Sequence, residues 1–134
     1  MATQLTEKTK AAIQALYEKY EMRESAIMPA LHLVQDQLGY IPDKAIEELA
    51  TLMELPRTKI DEVVRFYTMY HQQPVGKYHF QICRNLTCGM FDSQGIRDEI
   101  KKLIDVEKPK EISKGGLFSY EEVECLGRVG PHRW

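Results

Sequence analysis

Three cysteines are the residues of this chain with the most specific chemistry. Cys83 and Cys88 form a C-x4-C pair in "CRNLTC", and Cys125 lies in "EEVECLG". Thiolates are soft, negatively charged ligands, and iron–sulfur clusters are held by four of them. Four intervening residues let a loop curl around a cluster, whereas a structural zinc site more often uses a shorter spacing. The spacing alone leaves a second interpretation open, in which two buried cysteines pack near the end of a strand.

The composition narrows the classes of protein to consider. The 134 residues suit one compact core or two small units, and 18 Lys and Arg against 20 Asp and Glu give a formal net charge of −2. No basic stripe is present, so nucleic acid is not expected as a partner. The N-terminus has no signal-peptide pattern, and no segment approaches the ~18 continuous apolar residues of a transmembrane helix. We therefore expect a cytoplasmic protein without direct membrane insertion, and an odd number of cysteines argues against a secreted disulfide framework.

The first half of the chain repeats an apolar pattern at helical spacing four times. The stripes consist of Ile13, Leu16, Tyr17 and Tyr20; Ile27, Leu31, Val34 and Leu38; Ile46, Leu49, Ala50 and Met53; and Ile60, Val63, Val64 and Tyr67. Gly39 is suited to end the second helix and Pro42 to begin the third, while Thr58 with Asp61 offers a capping arrangement for the fourth. Short connections between amphipathic helices predict a small helical bundle over residues 1–73.

The period of the pattern changes after residue 73. Alternation in "KYHFQIC" predicts a half-buried strand that ends at Cys83, and a helix is predicted over residues 93–104. The positions predicted to face inward are Tyr78, Phe80 and Ile82 in the strand and Ile96, Ile100 and Leu103 in the helix. After a polar loop, "LFSYEEVEC" predicts a second strand that delivers Cys125 at its end. Ligands at the ends of adjacent strands can converge on one point, which is where an α/β layer places a site.

Several segments together resemble the thioredoxin-like [2Fe–2S] subunit of respiratory NADH:quinone oxidoreductase, the E-type subunit of bacterial complex I. They are "ALHLVQDQLGYIP", "FYTMYHQQPVGKYHFQIC", "CRNLTC" and "EEVECLG", and the resemblance extends from about residue 10 to Gly127. It implies an α+β fold with two domains. A small helical bundle, residues 1–73, would precede an incomplete thioredoxin-like α/β ferredoxin domain, residues 74–134.

The resemblance also implies the ligands of a [2Fe–2S] cluster, which the family holds with a C-x4-C pair and a later C-x3-C pair. By position, Cys83 and Cys88 are the first pair and Cys125 is the third ligand, while Val129 occupies the fourth position. A valine side chain has no lone pair to offer, so three thiolates stand where four are required. We therefore expect weak, oxygen-labile or absent cluster binding. His132 lies nearby, and imidazole binds iron in Rieske centres, but an accidental position in the tail is the preferred interpretation.

The last residues, "VGPHRW", suggest how the fourth ligand was lost. Family members continue as Cys-Leu-Gly-x-Cys-Gly-x-Ala-Pro, and codons for this tail, read with one added T in a shifted frame, can encode Cys-Gly-Thr-Ala-Pro-Met. We expect that one base is missing just before codon 129 and that the domain is truncated there; the alternative is that some relatives end here. Sequencing the gene locus tests this hypothesis.

The truncation also has a consequence for stability. Without further strands, we expect the second half of the chain to be marginally stable or aggregation-prone and the first half to be much less affected.

The function implied by the resemblance is one-electron transfer in the NADH-oxidising module, with no catalytic side chain in this chain. A partner flavoprotein subunit would bind NADH and FMN, and other iron–sulfur subunits would complete a complex that holds the chain at the inner membrane. No strand-linked G-x-G-x-x-G is present, and Gly115-Gly116 is expected to be a turn, so the chain is not expected to hold NADH or FMN itself. Two alternatives remain: the equivalent diaphorase subunit of an NAD-linked hydrogenase or formate dehydrogenase, and a clusterless helical adaptor.

Two further groups of residues have simpler interpretations. Ligand spacing is missing among the other histidines, which are expected to be solvated or on helix faces: His32, His71 and His79. An apolar, largely aromatic cluster ends the fourth helix: Phe66, Tyr67, Met69 and Tyr70. It is expected to pack between the two halves, to dock a partner subunit, or both.

Overall fold

The structure is a computed structural model that describes residues 4–127. The chain divides into two compact units, a helical unit up to Pro74 and an α/β unit from Val75. Helices precede a small parallel sheet, so the predicted α+β class is confirmed. A domain boundary after residue 73, with each part folding as its own domain, stays a prediction.

From residue 4 onward, the helical unit contains four α-helices and one short 3₁₀ turn. Helix α1 spans Glu7–Leu16, the 3₁₀ turn spans Arg23–Ala26, and α2 follows directly as Ile27–Leu38. Helices α3 and α4 span Asp43–Met53 and Arg57–Phe66. All four predicted helices are present. Among the described residues, none of the helices combines the length and the apolar character needed to cross a bilayer.

Two predictions about helix ends have opposite outcomes. Gly39 ends α2 in a left-handed conformation, φ +80°, as its position after the apolar stripe predicted. The capping arrangement of Thr58 with Asp61 is wrong. Helix α4 begins two residues earlier than a Thr58 cap would require, at Arg57 after Pro56, and the Asp61 carboxylate instead accepts a hydrogen bond from Arg57 Nε at 3.2 Å. Proline fixes the extended conformation that precedes the helix, so the first turn starts before Thr58 can act as a cap.

The four apolar stripes face one common core. Its buried members are Leu5, Ile13, Ala26, Ile27, Ala30, Leu31, Val34, Ile41, Ala45, Ile46, Leu49, Ala50, Met53, Ile60, Val64 and Tyr70. Tyr20 departs from its stripe because α1 ends at Leu16, and its side chain is exposed.

The segment after α4 is held by two hydrogen bonds to Gln35 of α2. The Gln35 side chain donates to the Met69 carbonyl at 2.9 Å and accepts from the His71 amide at 2.8 Å.

The α/β unit has the predicted order of strand, helix and strand. Strand β1 spans Tyr78–Cys83, α6 spans Ser93–Ile104, and β2 spans Phe118–Val123. A short helix that the sequence patterns did not predict, α5, spans Leu86–Met90 between β1 and α6. The two strands pair in parallel, from Tyr78 opposite Phe118 to Cys83 opposite Val123. Their carboxyl ends therefore lie at the same edge of the sheet.

The buried face of α6 differs from the prediction. Leu103 was expected to face inward, but 81% of its surface is exposed, whereas the next residue, Ile104, is buried. Ile96 is also exposed. Ile100 and Ile104 both contact the core of this unit, so the helix presents a stripe at a spacing of four residues. The predictions for Leu103 and Ile96 are therefore wrong: the buried position is 104 and not 103, and the described core does not include Ile96.

The two ends of β1 are buried to different extents. Ile82 packs with Ile104, Val106 and Tyr120 in the core, whereas Tyr78 is 53% exposed although it was predicted to face inward. Phe80 is exposed to a lesser degree, and both rings stack on Phe118, at centroid distances of 5.7 and 6.2 Å. The described core therefore covers the carboxyl end of the strand, which is the end that leads to the cysteines.

Candidate metal centre

The structure places each of the three cysteines near the carboxyl ends of the strands. Cys83 is the last residue of β1, as predicted, and Cys88 lies in α5. Cys125 was expected at the end of β2, but the strand ends at Val123 and Cys125 follows two residues later, exposed to solvent. The chain leaves the ladder there and turns. The predicted end of β2 is therefore wrong by two residues, and Cys125 belongs to the turn.

The thiols are close enough to influence one another. The pKa of Cys88 is raised, first by a hydrogen bond with the Cys83 side chain, then by partial desolvation, and then by the negative charges of Cys83 and Cys125. Each cause disfavours a second or third thiolate in the group. A bound cation would reverse this preference, because metal ligation requires deprotonated thiols. The arrangement is therefore one in which proton release and cation binding are coupled.

The turn after Cys125 directs a backbone donor at its sulfur. The Gly127 amide donates to Cys125 Sγ at 3.3 Å, and Gly127 has φ +82°. This left-handed conformation is open to glycine without strain. Hydrogen bonds to ligand sulfurs are one of the means by which proteins set the potential of iron–sulfur centres. The turn thus supplies part of the surroundings that such a sulfur requires.

A buried polar group lies in the sheet of the same unit. His79 Nδ1 is 2.7 Å from Ser119 Oγ, and His79 Nε2 is 3.4 Å from a Glu121 carboxylate oxygen. The expectation that His79 is solvated or on a helix face is wrong, since it lies on β1 with 9% of its side chain exposed. The Ser–His–Glu set is similar to a hydrolase triad, but Ser119 is completely buried and out of reach of a substrate.

Sequence reasoning missed this group, although the strand register contains the signal for it. The register pairs His79 with Ser119 and Gln81 with Glu121, so that polar residues face polar residues across the sheet. Alternation within one strand shows which residues share a face, but not that two polar faces will meet. A comparison of the two strand patterns would have been needed.

The carboxyl group of Glu121 is anionic throughout the physiological range. Burial by itself raises the pKa of Glu121, but hydrogen bonds with His79 and Gln81 and the charges of His79 and Lys110 outweigh burial and lower it to about 2. Gln81 Nε2 donates to the carboxylate at 3.0 Å, and Lys110 Nζ lies 3.7 Å from the other oxygen. The buried negative charge is therefore well compensated.

The remaining candidates have separate outcomes. Gly115 and Gly116 form the predicted turn before β2, with the Gly116 amide donating to the Ser113 carbonyl at 2.9 Å. His32 lies against the Tyr70 ring at 5.2 Å. Val129 and His132 lie outside the described residues.

The largely aromatic cluster at the end of α4 divides into two parts. Tyr70 is buried and its hydroxyl donates to the Met28 carbonyl at 3.0 Å, so it belongs to the core of the helical unit. Phe66 is 77% exposed, and Met69 is exposed to a lesser degree. Tyr70 therefore packs within the helical unit, whereas packing of the cluster between the two halves and a docking role of its exposed members stay predictions.

Comparison with known proteins identifies the family. The sequence profile of the thioredoxin-like [2Fe–2S] ferredoxin family matches residues 13–131. This chain belongs to that family. The match covers the described cysteines, Cys83, Cys88 and Cys125, as well as position 129.

Several curated relatives of this ferredoxin-family chain are named as subunits of NADH-quinone oxidoreductase. The chain is 35% identical to the subunit named E 2 in Rhizobium meliloti, over 86% of its own length and 68% of the relative's. It is 38% identical to the subunit numbered 2 of the Thermus thermophilus enzyme, covering 86% of this chain and 64% of that one. The E-type subunit of Rickettsia bellii is 38% identical, with coverages of 90% and 73%. The chain therefore spans roughly two thirds to three quarters of the length of these relatives.

The donor set fits the family's cluster in part. Three thiols near one edge of a parallel sheet are soft ligands of the type that iron–sulfur centres use. The assignment of position 129 as the fourth ligand position stays a prediction, and the Val129 side chain has no donor atom to offer there. The described residues thus offer three thiols of the kind that such a cluster requires.

Proposed function

We propose that this chain is the [2Fe–2S] electron-transfer subunit of the NADH-oxidising module of respiratory NADH:quinone oxidoreductase. The observation that carries the proposal is that Cys83, Cys88 and Cys125 lie at or just beyond the carboxyl ends of two parallel strands, where Cys88 is hydrogen-bonded to the Cys83 side chain and is influenced by the charge of Cys125. Family membership and the names of the relatives support it. The proposal assigns the three cysteines as metal ligands and no side chain to acid–base or nucleophilic chemistry.

The proposed partners are an FMN- and NADH-binding flavoprotein subunit and the iron–sulfur subunits of the same complex. The chain would be cytoplasmic and peripheral to the inner membrane through that complex. An apolar surface next to the cysteines supports docking there: Leu86 and Met90, which flank Cys88 in α5, are 82% and 78% exposed, and Phe91 follows them. Contact with a partner would remove this surface from water and keep the thiols dry.

The cysteines and their neighbours would have distinct tasks in this role. A bound cluster supplies reversible one-electron chemistry. Cys83 and Cys88 would hold one iron, and Cys125 would hold the other. The Gly127 amide would disperse negative charge on the Cys125 sulfur, and the end of β1 would hold Cys83 in place. With Val129 at the fourth position, the second iron would have one protein ligand fewer than the family uses.

Restoring the fourth thiol tests the assignment. We expect the full chain, reconstituted anaerobically with iron and sulfide, to hold a cluster weakly, below one per chain and with rapid loss in air. Val129→Cys should raise occupancy to about one cluster per chain and slow the loss in air, because four thiolates then surround the two irons. Absorbance, EPR and iron and sulfide analysis measure this, and Cys125→Ser is the control that removes a described ligand.

Two results would contradict the proposal or part of it. A stable, stoichiometric [2Fe–2S] signal from the unaltered chain would show that three cysteines suffice, and the expected weak binding would be wrong. Absence of any cluster in Val129→Cys, with the fold intact by circular dichroism, would contradict the electron-carrier function itself.

A clusterless helical adaptor is the second candidate, favoured by Val129 and by the well-packed core of the helical unit. It would bind the flavoprotein subunit without carrying electrons. Co-expression with that subunit, followed by iron analysis of the purified complex, separates the two functions. A stable complex with iron only on the other subunits would favour the adaptor.

A further inference from the structure

The carboxyl ends of β1 and β2 are joined by more than the regular ladder. Beyond the last residue of β1, the Arg84 amide donates to the Val123 carbonyl at 3.0 Å. The Arg84 guanidinium also donates to one oxygen of Glu124, from Nε at 3.0 Å and from Nη2 at 2.8 Å. Backbone and side-chain contacts thus link the strand ends at the same point.

Each member of this ion pair is covalently next to a cysteine. Arg84 directly follows Cys83, and Glu124 directly precedes Cys125. Both residues lie one position beyond the end of a strand. The pair therefore joins the two strand ends at residues that are covalently next to two of the cysteines.

The Arg84–Glu124 ion pair is not expected to stabilise the fold to any large extent. Both side chains are largely exposed, 63% and 64%, and an exposed ion pair contributes little to the free energy of unfolding. The position of the pair, next to two cysteines, indicates its role better than its small contribution to stability does. Cys125 lies beyond the end of β2, exposed, and no ladder hydrogen bond of the strand fixes it. Glu124 is the residue that connects it to the ordered sheet.

We propose that Arg84 and Glu124 are positioning residues for the metal centre, because their ion pair holds Cys125 beside Cys83 and Cys88. This inference rests on the proposed function, which assigns the three thiols to one site. The pair acts through the strand ends and does not touch the metal.

Binding of Cd²⁺ to the full chain, under reducing and anaerobic conditions, tests the role of the pair. Cd²⁺ is a soft cation that prefers thiolates, and its charge-transfer absorbance reports how many thiolates it binds. Removing one exposed partner should weaken Cd²⁺ affinity about threefold. We expect this for Arg84→Gln and for Glu124→Gln. The absorbance per bound ion should fall toward that of Cys125→Ser, which has lost one thiolate outright.

A double-mutant cycle and a matched control complete the design. The double variant Arg84→Gln/Glu124→Gln should lose no more affinity than either single variant, because both changes break the same contact. Lys102→Gln is the control, since Lys102 forms a comparably exposed ion pair with Glu99 at 3.0 Å on α6, away from the cysteines. It should bind Cd²⁺ as the unaltered chain does. The Arg84 amide should exchange with solvent faster in both single variants.

The possible outcomes separate the inference from the function on which it rests. Unchanged Cd²⁺ affinity and absorbance in both single variants, with a clear loss in Cys125→Ser, would overturn the positioning role and leave the three-thiol site standing. Losses that multiply in the double variant, or an unchanged exchange rate of the Arg84 amide, would also overturn it. If Cys125→Ser itself left the absorbance unchanged, the three thiols would not share a site, and the proposed function would fail together with the inference.

Discussion

The two units of this molecule bury apolar surface to very different extents. In the described residues, the core of the helical unit contains sixteen buried residues, most of them completely excluded from solvent. The core of the α/β unit contains four, and several large apolar side chains of that unit are more than half exposed, among them Leu86, Met90 and Leu103. Since buried apolar area is the main source of stability, the helical unit has its own means of staying folded. The α/β unit has fewer.

The difference corresponds to a division of roles. A two-stranded sheet with one covering helix is marginal by itself, so further contacts or a bound group must contribute to its stability. The unit that carries the cysteines is therefore the one whose stability should respond to ligands, pH and single backbone changes. The helical unit should respond to losses in its core.

The largest expected effect is a core truncation in the helical unit. Leu49→Ala removes a completely buried side chain of α3 and should lower the free energy of unfolding by about 2–5 kcal/mol. Leu103→Ala, at an exposed position of α6, is the matched control and should change it by less than about 0.5 kcal/mol. Urea unfolding, with amide exchange to assign the affected unit, measures both. Equal losses from the two variants would contradict the comparison.

The next effect concerns the pH dependence of the α/β unit. The pKa of Glu121 is lowered from 4.5 to about 2 in the fold, so its stabilising contribution is complete above pH 4.5 and is lost as the pH falls toward 2. The loss amounts to at most about 3 kcal/mol. Amide exchange at β1 and β2, followed between pH 6 and pH 2, should reveal it.

Two variants separate Glu121 from the other carboxyl groups. Glu121→Gln should be less stable than the unaltered chain at pH 6 and should lack this part of the acid sensitivity. Glu99→Gln, at an exposed position of α6, should keep it. The assignment is wrong if Glu121→Gln becomes acid-labile to the same degree as the unaltered chain.

The smallest of the three effects is expected at Gly76, just before β1, where the backbone lies close to that of Phe118 in β2. A Cβ atom at Gly76 would lie 2.5 Å from the carbonyl carbon of Phe118, so Gly76→Ala should force the strands apart and lower the stability of the α/β unit by about 1–3 kcal/mol. At Gly89, in α5, a Cβ atom would meet nothing within 4 Å. Gly89→Ala should therefore be neutral or slightly stabilising. Exchange of the Tyr78 amide, which donates to the Leu117 carbonyl, measures the difference.

The sequence predicted the helical unit well because its apolar stripes repeat at a regular spacing and its core is large. Every residue of the second and third stripes contacts or enters that core. The α/β unit was predicted less accurately. Leu103 and Tyr78 are exposed where they were expected to be buried, because periodicity gives the face of an element and not the length over which a neighbour covers it.

The sequence pointed to the cysteines of the candidate site but not to the contacts that surround them. Spacing alone points only weakly to Cys83 and Cys88, and the resemblance to the family adds Cys125 as the third candidate ligand. The end of β1 at Cys83 follows from alternation. The contacts around the cysteines join residues through the strand register and the turn after β2, and neither can be read from one strand at a time. These contacts are Gly127 with Cys125, Arg84 with Glu124 and His79 with Ser119.

The long crossover between β1 and β2 also sets an order of events during folding. Cys83 and Cys88 are five positions apart and can meet through local structure, whereas 42 positions separate Cys83 from Cys125. Closing the longer loop costs more chain entropy, and we expect non-local contacts of this kind to form late. We therefore expect that, during folding, the thiols of Cys83 and Cys88 can bind a metal ion before the thiol of Cys125 is in place. Delivery of the correct metal must compete with that early capture.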